Sequence, residues 1–257
     1  MELETIEIIK NEKVSTIKLN RPDLLNAVNE QLVWDLQEST RAVMDDNDTK
    51  VVILTGAGRG FSAGADLSER KASWSGSKDA LMRGYKPSFE NIINMPKPVI
   101  ASIPGPAAGI GAAFAMSCDL RVMSEDAYLL SVFSNIALVP DGGLSWFLPK
   151  FMGYAKAYEY AIEAKKIPAS DCLKYGIANK VVSADELQKT SLDWATALAK
   201  RSSQSLNHTK RLMRESLSVN YWDTFNNEAE IQNELTASPQ NREAVKAFLE
   251  KREPNFD

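Results

Sequence analysis

The sequence predicts an α/β fold that closes on a helical tail. Three observations carry this. Short β-rich runs are each stopped by glycine or proline; segments with helical spacing lie between them; and helix patterning dominates from about residue 185 almost to the end. A chain of 257 residues suits one large domain, long enough to bury its apolar surface without covalent staples. With 30 basic against 34 acidic residues the net charge is −4, which points away from a general binder of nucleic acid or anionic membrane.

Taken in order, residues 6–9 and 14–19 are strand-like and flank Asn11-Glu12-Lys13, as in a hairpin. Asn29 is placed to cap a helix whose stripe is Leu32, Val33, Leu36, Thr40 and Val43. The run Val51-Val52-Ile53-Leu54-Thr55 ends at Gly56-Ala57-Gly58-Arg59-Gly60. Pro98-Val99-Ile100-Ala101-Ser102-Ile103 ends likewise at Pro104-Gly105-Pro106. A small-residue helix is expected over about 108–117, then strands over 120–123 and 128–132. Residues 67–90 are the least periodic and are expected to form a surface excursion or a lid. Glu69, Arg70 and Lys71 there read as solvated charges, and Arg59 as a surface arginine. Met82, Tyr85, Phe89 and Ile93 read as core, or as the wall of a pocket.

Several chemistries are disfavoured. Cys118 and Cys172 lack CxxC or Cys/His spacing and suit a reducing compartment. The single histidine, His208, cannot build a His-rich zinc site, and no triad motif surrounds it. The start Met1-Glu2-Leu3-Glu4 is not a signal peptide, and Asn255-Phe256-Asp257 is no targeting tripeptide. Apolar runs fall short of the ~18 residues of a membrane span. Cytoplasm is therefore the expected location, with no membrane or nucleic-acid partner and no metal.

Strand, glycine-rich turn and helix are expected twice, at Gly60-Phe61-Ser62-Ala63-Gly64-Ala65-Asp66 and at Gly105-Pro106-Ala107-Ala108-Gly109-Ile110-Gly111. Neither is a nucleotide loop: Phe114 stands where a dinucleotide fingerprint needs its third glycine, and no Lys-Ser/Thr follows Gly64. Each loop alone reads as a tight turn. As a pair, they could aim two backbone N–H groups at one oxygen and form an oxyanion hole.

Leu19-Asn20-Arg21-Pro22 with Leu25-Asn26-Ala27 resembles the opening motif of the crotonase superfamily of enoyl-CoA hydratases and isomerases. Phe61 to Leu67 resembles its first oxyanion-loop motif, and Lys97-Pro98-Val99-Ile100-Ala101 through Gly111 its second. Ser117-Cys118-Asp119-Leu120-Arg121 and the tail Ala247 to Pro254 also match, so the likeness runs the length of the chain. It implies a crotonase-type spiral of ββα units over 1–195 and a helical trimerisation region over 196–257. It further implies an acyl-CoA thioester substrate and a homotrimer or hexamer, with no cofactor beyond the coenzyme A of the substrate. Carried over by position, Ala65 and Ile110 are the oxyanion donors. Asp23, Leu24, Leu25, Ala63, Asp66 and Leu67 fall where the family contacts coenzyme A, and Gly64 and Gly109 also fall among its coenzyme A or substrate contacts. Phe248 and Lys251 match tail residues that reach coenzyme A from a neighbouring subunit; on their own they read as an amphipathic helix with a solvated lysine.

Hydration in this family uses two glutamates, and the matching positions hold Ala113 and Phe133. A third position, Asp141 in Val139-Pro140-Asp141-Gly142-Gly143-Leu144-Ser145-Trp146, matches the carboxylate of the family's Δ3–Δ2 enoyl-CoA isomerases and ring-opening isomerases. Pro-Asp-Gly is also an ordinary turn, with aspartate a good helix cap. The resemblance implies isomerisation with Asp141 as single acid and base, its pKa raised if Leu138, Val139, Leu144 and Trp146 desolvate it. Alternatives are a ring-epoxide isomerase and a non-catalytic acyl-CoA-binding homologue. Dehalogenation is disfavoured, because that branch needs a histidine before the second loop and a tryptophan at Phe133.

Overall fold

The structure, a computed structural model, describes residues 3–69 and 72–256. Arg70 and Lys71, like Met1, Glu2 and Asp257, lie outside the described residues. β1 (Ile6–Asn11) and β2 (Val14–Leu19) form the expected antiparallel hairpin, with Glu12 at φ +50° in its turn. Asn29 caps α1 (Glu30–Asp45) by accepting from the Leu32 N–H at 3.1 Å, and the expected stripe is buried. The other end of α1 is closed from a distance: the buried Lys97 Nζ donates to the carbonyls of Val43, Met44 and Asp46 at 2.6, 3.0 and 2.7 Å. Those are orphan carbonyls of a helix C-terminus, where a cation is favoured.

β3 (Val51–Gly56) follows. A short α2 (Ser77–Asp79), a π-helical turn over Ala80–Tyr85 and α3 (Lys86–Asn94) then run on as one rod. The stretch expected to be irregular to residue 90 is therefore helical from Ser77. Its pattern is hard to read because the π turn breaks the 3.6-residue period. Glu69, expected to be solvated, accepts from the Glu30 N–H at 3.0 Å and so closes the start of α1.

β4 (Val99–Ile103), β5 (Pro106–Ala108), α4 (Ile110–Ser117), β6 (Leu120–Ser124) and β7 (Tyr128–Leu130) come next. The small-residue helix begins at Ile110, because Pro106–Ala108 pair with β7 as a strand. After α5 (Leu144–Met152) and α6 (Tyr154–Ile162) come β8 (Lys166–Pro168), α7 (Ala169–Lys174) and β9 (Lys180–Val182). The tail is α8 (Leu187–Ala199), α9 (Ser203–Glu215), α10 (Tyr221–Thr236) and α11 (Pro239–Glu250).

The large sheet has the order β1-β2-β3-β4-β6-β9, parallel except for β1, and β5-β7-β8 form a smaller one. All six residues of β3 are buried, as a strand covered on both faces requires. Val52 and Leu54 face the main core, while Val51 and Ile53 face α8 through Leu187, Ala195 and Ala199.

Asp119 ties the tail to this sheet. Its carboxylate accepts from the Val99 N–H at 2.8 Å, Lys210 at 2.8 Å and Arg214 at 2.6 Å. The Lys210 side chain is 8% exposed, and burial pushes its ammonium below the ordinary value against the pull of Asp119. Removing one partner of a buried pair leaves the other charge uncompensated, so Asp119→Ala is expected to cost about 3–5 kcal/mol and roughly 10 °C in Tm. Thermal unfolding followed by circular dichroism reads this; an unchanged Tm would refute it.

Candidate active site

The first glycine loop is built by short polar side chains. The Asn26 amide donates to the carbonyls of Ala57 and Gly60, both at 2.9 Å, and its oxygen accepts from the Arg21 N–H. Ser62 Oγ donates to the Asn26 carbonyl at 2.8 Å and accepts from the Gly64 N–H at 3.2 Å. Arg21 reaches across to Asp66 at 3.0 Å. The Asp66 carboxyl lies below its ordinary value, chiefly through the Ser68 hydroxyl, with Arg21 adding to it against burial.

The second loop lies against the first. Phe61 and Ser62 N–H both donate to the Pro106 carbonyl, and the Ala108 N–H returns a bond to Ser62. Gly64 sits at φ +94°, and a Cβ there would stand 2.9 Å from the Ala108 carbonyl oxygen and 3.6 Å from Gly109 Cα. A Cβ on Gly111 would meet that of Ser62 at 2.6 Å. Glycine lets two backbones approach this closely.

The expectation of a helix after each loop holds only for the second. The first runs through Ala65 and Asp66 into a turn, its backbone fixed by bridges from Val28 to Ala65 and from Ser62 to Ala107. Ala65 is exposed, and its N–H donates no backbone bond among the described residues. The Ile110 N–H opens α4, where no helical carbonyl precedes it.

A cavity of about 510 Å³, the size of a small-ligand site, approaches the second loop through Gly142, which packs against Ile110. Leu81, Met82 and Tyr85 wall it from the π turn, Phe89 and Ile93 from α3, and Trp146 and Phe147 from α5. The residues that read as core are thus the wall of a pocket. Phe89 stacks on the buried Phe114 with ring centres 4.5 Å apart.

Gly142 and Gly143, also in the wall, follow Asp141. Asp141 does not cap α5; Gly143 occupies that place, at φ +90°. The aspartate's Oδ1 is buried without a hydrogen-bond partner, and burial pushes the carboxyl up to about 6. Of the four neighbours expected to desolvate it, only Leu144 is buried. Leu138 and Val139 are 54% and 78% exposed, and Trp146 is also exposed. The space beside Gly142 is instead closed by Phe89, Ile110 and Ala113, each within 3.0 Å of where its Cβ would be. Phe133 approaches Gly109, its Cζ 3.9 Å from the equivalent point there. Ala113 and Phe133 therefore both face this site and offer it no carboxylate.

The remaining sequence candidates are spread out. Asp23 and Leu24 are exposed on a 3-10 turn, and Leu25, at φ +50°, takes the Ala63 N–H at 2.8 Å, which sets them against the first loop. Leu67 is 73% exposed. Phe248 lies on α11, which Lys251 closes in a left-handed conformation. Neither is joined by a hydrogen bond or ion pair to the glycine loops among the described residues. Cys118 and Cys172 are buried free thiols pushed up to about 12. Among the described residues, no three His, Cys, Asp or Glu side chains form a metal-binding group, and no helix is long and apolar enough to cross a membrane. Sequence reasoning placed Met82 and Tyr85 without the π turn that carries them, and gave no role to the glycine pair after Asp141.

Comparison with known proteins gives the same frame. The family model for enoyl-CoA hydratase/isomerase matches residues 9–257. The chain is 35% identical over 248 residues to 1,2-epoxyphenylacetyl-CoA isomerase of Escherichia coli (strain K12), covering 95% of this chain and 94% of that one. It is 32% identical to a probable enoyl-CoA hydratase of Rhodobacter capsulatus, over 100% and 99% of the two chains. The crystal structure of an enoyl-CoA hydratase from Polaromonas sp. JS666 superposes with a TM-score of 0.91 at 28% identity, covering 97% and 98%. With the crotonase fold shared throughout and the family model spanning nearly the whole sequence, the chain belongs to the enoyl-CoA hydratase/isomerase family.

Proposed function

We propose that this protein is an acyl-CoA isomerase that moves a double bond from Δ3 to Δ2, with Asp141 as its single acid and base. The observation that carries the reading is the Asp141 carboxylate, unpaired at Oδ1, raised to about 6 by burial and adjacent in the chain to Gly142 of the cavity wall. An ordinary aspartate near 3.8 is a poor base; one raised by desolvation is better matched to proton abstraction at neutral pH. In this reading Asp141 breaks the C–H bond at C2 of the thioester. The enolate oxygen is held by the N–H groups of Ala65 and Ile110, where each donor is worth roughly 10²–10³ in rate. Asp141 then delivers the proton to C4. One C–H bond breaks and one forms, so the step needs no redox partner and no cofactor beyond the thioester's own coenzyme A.

Many relatives carry the name hydratase. Hydration needs a second proton-moving group, and the two positions available for it here are Ala113 and Phe133. Coenzyme A itself falls to Asp23, Leu24, Leu25, Ala63, Asp66 and Leu67 at the mouth of the first loop, with Gly64 and Gly109 against the acyl end. We further propose a cytoplasmic trimer or hexamer assembled through residues 196–257, in which Phe248 and Lys251 reach a neighbouring site. The exposed Tyr221, Trp222 and Phe225 on α10 support such an assembly.

A second reading, isomerisation of a ring epoxide on an aromatic-derived thioester, keeps the same residues. It is favoured by the 35% likeness to the E. coli epoxyphenylacetyl-CoA isomerase and by the aromatic wall of the cavity. Purified protein is expected to generate the conjugated 2-enoyl thioester absorbance from trans-3-hexenoyl-CoA and to leave crotonyl-CoA unhydrated. Hydration of crotonyl-CoA without isomerisation of the 3-enoyl thioester would overturn the assignment.

A further inference from the structure

We propose that Tyr85 is a specificity-determining residue of the acyl site: its hydroxyl donates a hydrogen bond to a neutral ether, epoxide or carbonyl oxygen on the acyl group. The site then favours ring-sized acyl thioesters that carry such an oxygen over plain hydrocarbon ones. This rests on the acyl-CoA reading above and refines its substrate class.

Tyr85 lines the cavity, and its hydroxyl has no hydrogen-bond partner among the described residues. Burial, then the charges of Asp141 and Glu69, push the phenol up to about 12, so at neutral pH it stays a donor. The other charged groups in the wall are committed: Lys86 pairs with Glu90 at 3.2 Å, and Arg214 with Asp119 at 2.6 Å. The rest of the wall is apolar side chain or glycine, apart from the indole N–H of Trp146. A phenol donor on the π-turn side of such a cavity discriminates, because an acyl oxygen buried against that side without it stays unpaired.

The backbone is shaped to hold the phenol in place. Leu81, Tyr85, Phe89 and Ile93 all line the cavity at a strict spacing of four. In a pure α-helix each such step overshoots a full turn by about 40°. The wider π turn over Ala80–Tyr85 offsets that drift and keeps the four on one side. Its displaced carbonyls are satisfied from α1: the Gln37 amide donates to Arg83 and Gly84 at 3.0 and 2.7 Å. Trp74 seats on Gly84, where a Cβ would come within 3.0 Å of the indole, and the Tyr85 ring lies 6.3 Å from that of Phe114.

Two unreactive thioesters of nearly equal size test this: cyclohexylacetyl-CoA and (tetrahydropyran-2-yl)acetyl-CoA, titrated by calorimetry into wild type and Tyr85→Phe at pH 7.5. The ring ether only accepts, so Asp141 cannot bind it as it would a hydroxyl. The ratio of the two dissociation constants is expected to move about tenfold against the ether in Tyr85→Phe. A purely structural role would shift both constants alike and leave the ratio unchanged, which overturns the proposal. In wild type, which carries no substitution to misfold, the ether is expected to bind at least as tightly as the hydrocarbon, and a tenfold weaker ether also overturns it. Failure of both thioesters to bind wild type would instead sink the acyl-CoA reading itself.

Discussion

Asp141→Asn is expected to lower kcat for 3-enoyl-CoA isomerisation by at least about 10³-fold while making the folded protein more stable. The first effect follows from the proposed role of Asp141 as the one group that carries the proton; general acid–base groups contribute roughly 10²–10⁴. The second follows from linkage. The folded carboxyl is raised from 3.8 to about 6 by burial, so the native state holds its proton more tightly than the unfolded chain does. Stability from this group is fully present below about pH 4 and is lost as pH rises through about 6. At pH 7.5 the ionised side chain is therefore a burden, and a neutral amide of the same shape relieves about 1 kcal/mol after allowance for partial solvation. The same shift sets the acid limb of the wild-type profile: kcat/KM should fall about tenfold per pH unit below about 6. Stopped-time assays across pH 4–8 and a thermal melt of both proteins check all three statements. A variant that keeps its activity, or whose Tm drops, contradicts them.

Gly64→Ala should be nearly as damaging, for a purely geometric reason. Gly64 sits at φ +94°, and the added methyl would lie 2.9 Å from the Ala108 carbonyl oxygen. Backbone on both sides must shift, and Ala65 is the next residue. Losing one oxyanion donor costs roughly 10²–10³ in rate. The left-handed strain and the close contact add about 1–3 kcal/mol of destabilisation. The expected pattern is a large fall in kcat with a much smaller change in KM, measured on variant shown to be folded by circular dichroism. A variant that loses affinity for the thioester but keeps kcat would separate the first loop from the chemistry.

Local rules made much of this architecture legible in the sequence. The hairpin, the Asn29 cap and the buried run Val51-Val52-Ile53-Leu54-Thr55 follow from period, capping and turn chemistry. The two glycine loops could be found as loops, but their meeting could not be read. That contact depends on Pro106, Ser62 and Ala108 pairing across more than forty residues. The wall of the cavity was legible in part: Met82, Tyr85, Phe89 and Ile93 stood out as core or pocket wall, but the choice between the two, and the π turn that sets them on one side, depend on backbone geometry that spacing does not show. Asp141 stood out by type, yet its surroundings were misread from chain neighbours. Leu138 and Val139 turn to solvent while Leu144 is buried, and groups from α3 and α4 close around the next residue, Gly142.

The fit of Ala113 against Gly142 also bears on how such a site could change its trade over evolutionary time. The methyl of Ala113 lies 2.5 Å from the point where a side chain on Gly142 would begin. A glutamate introduced at position 113 would have to displace the Asp141 turn to find room. Were it to fit, two carboxylates crowded into one apolar niche could not both ionise freely. If Asp141 carries the proton as proposed, a glutamate at position 113 would reach the water-adding arrangement only at the expense of the Asp141 turn.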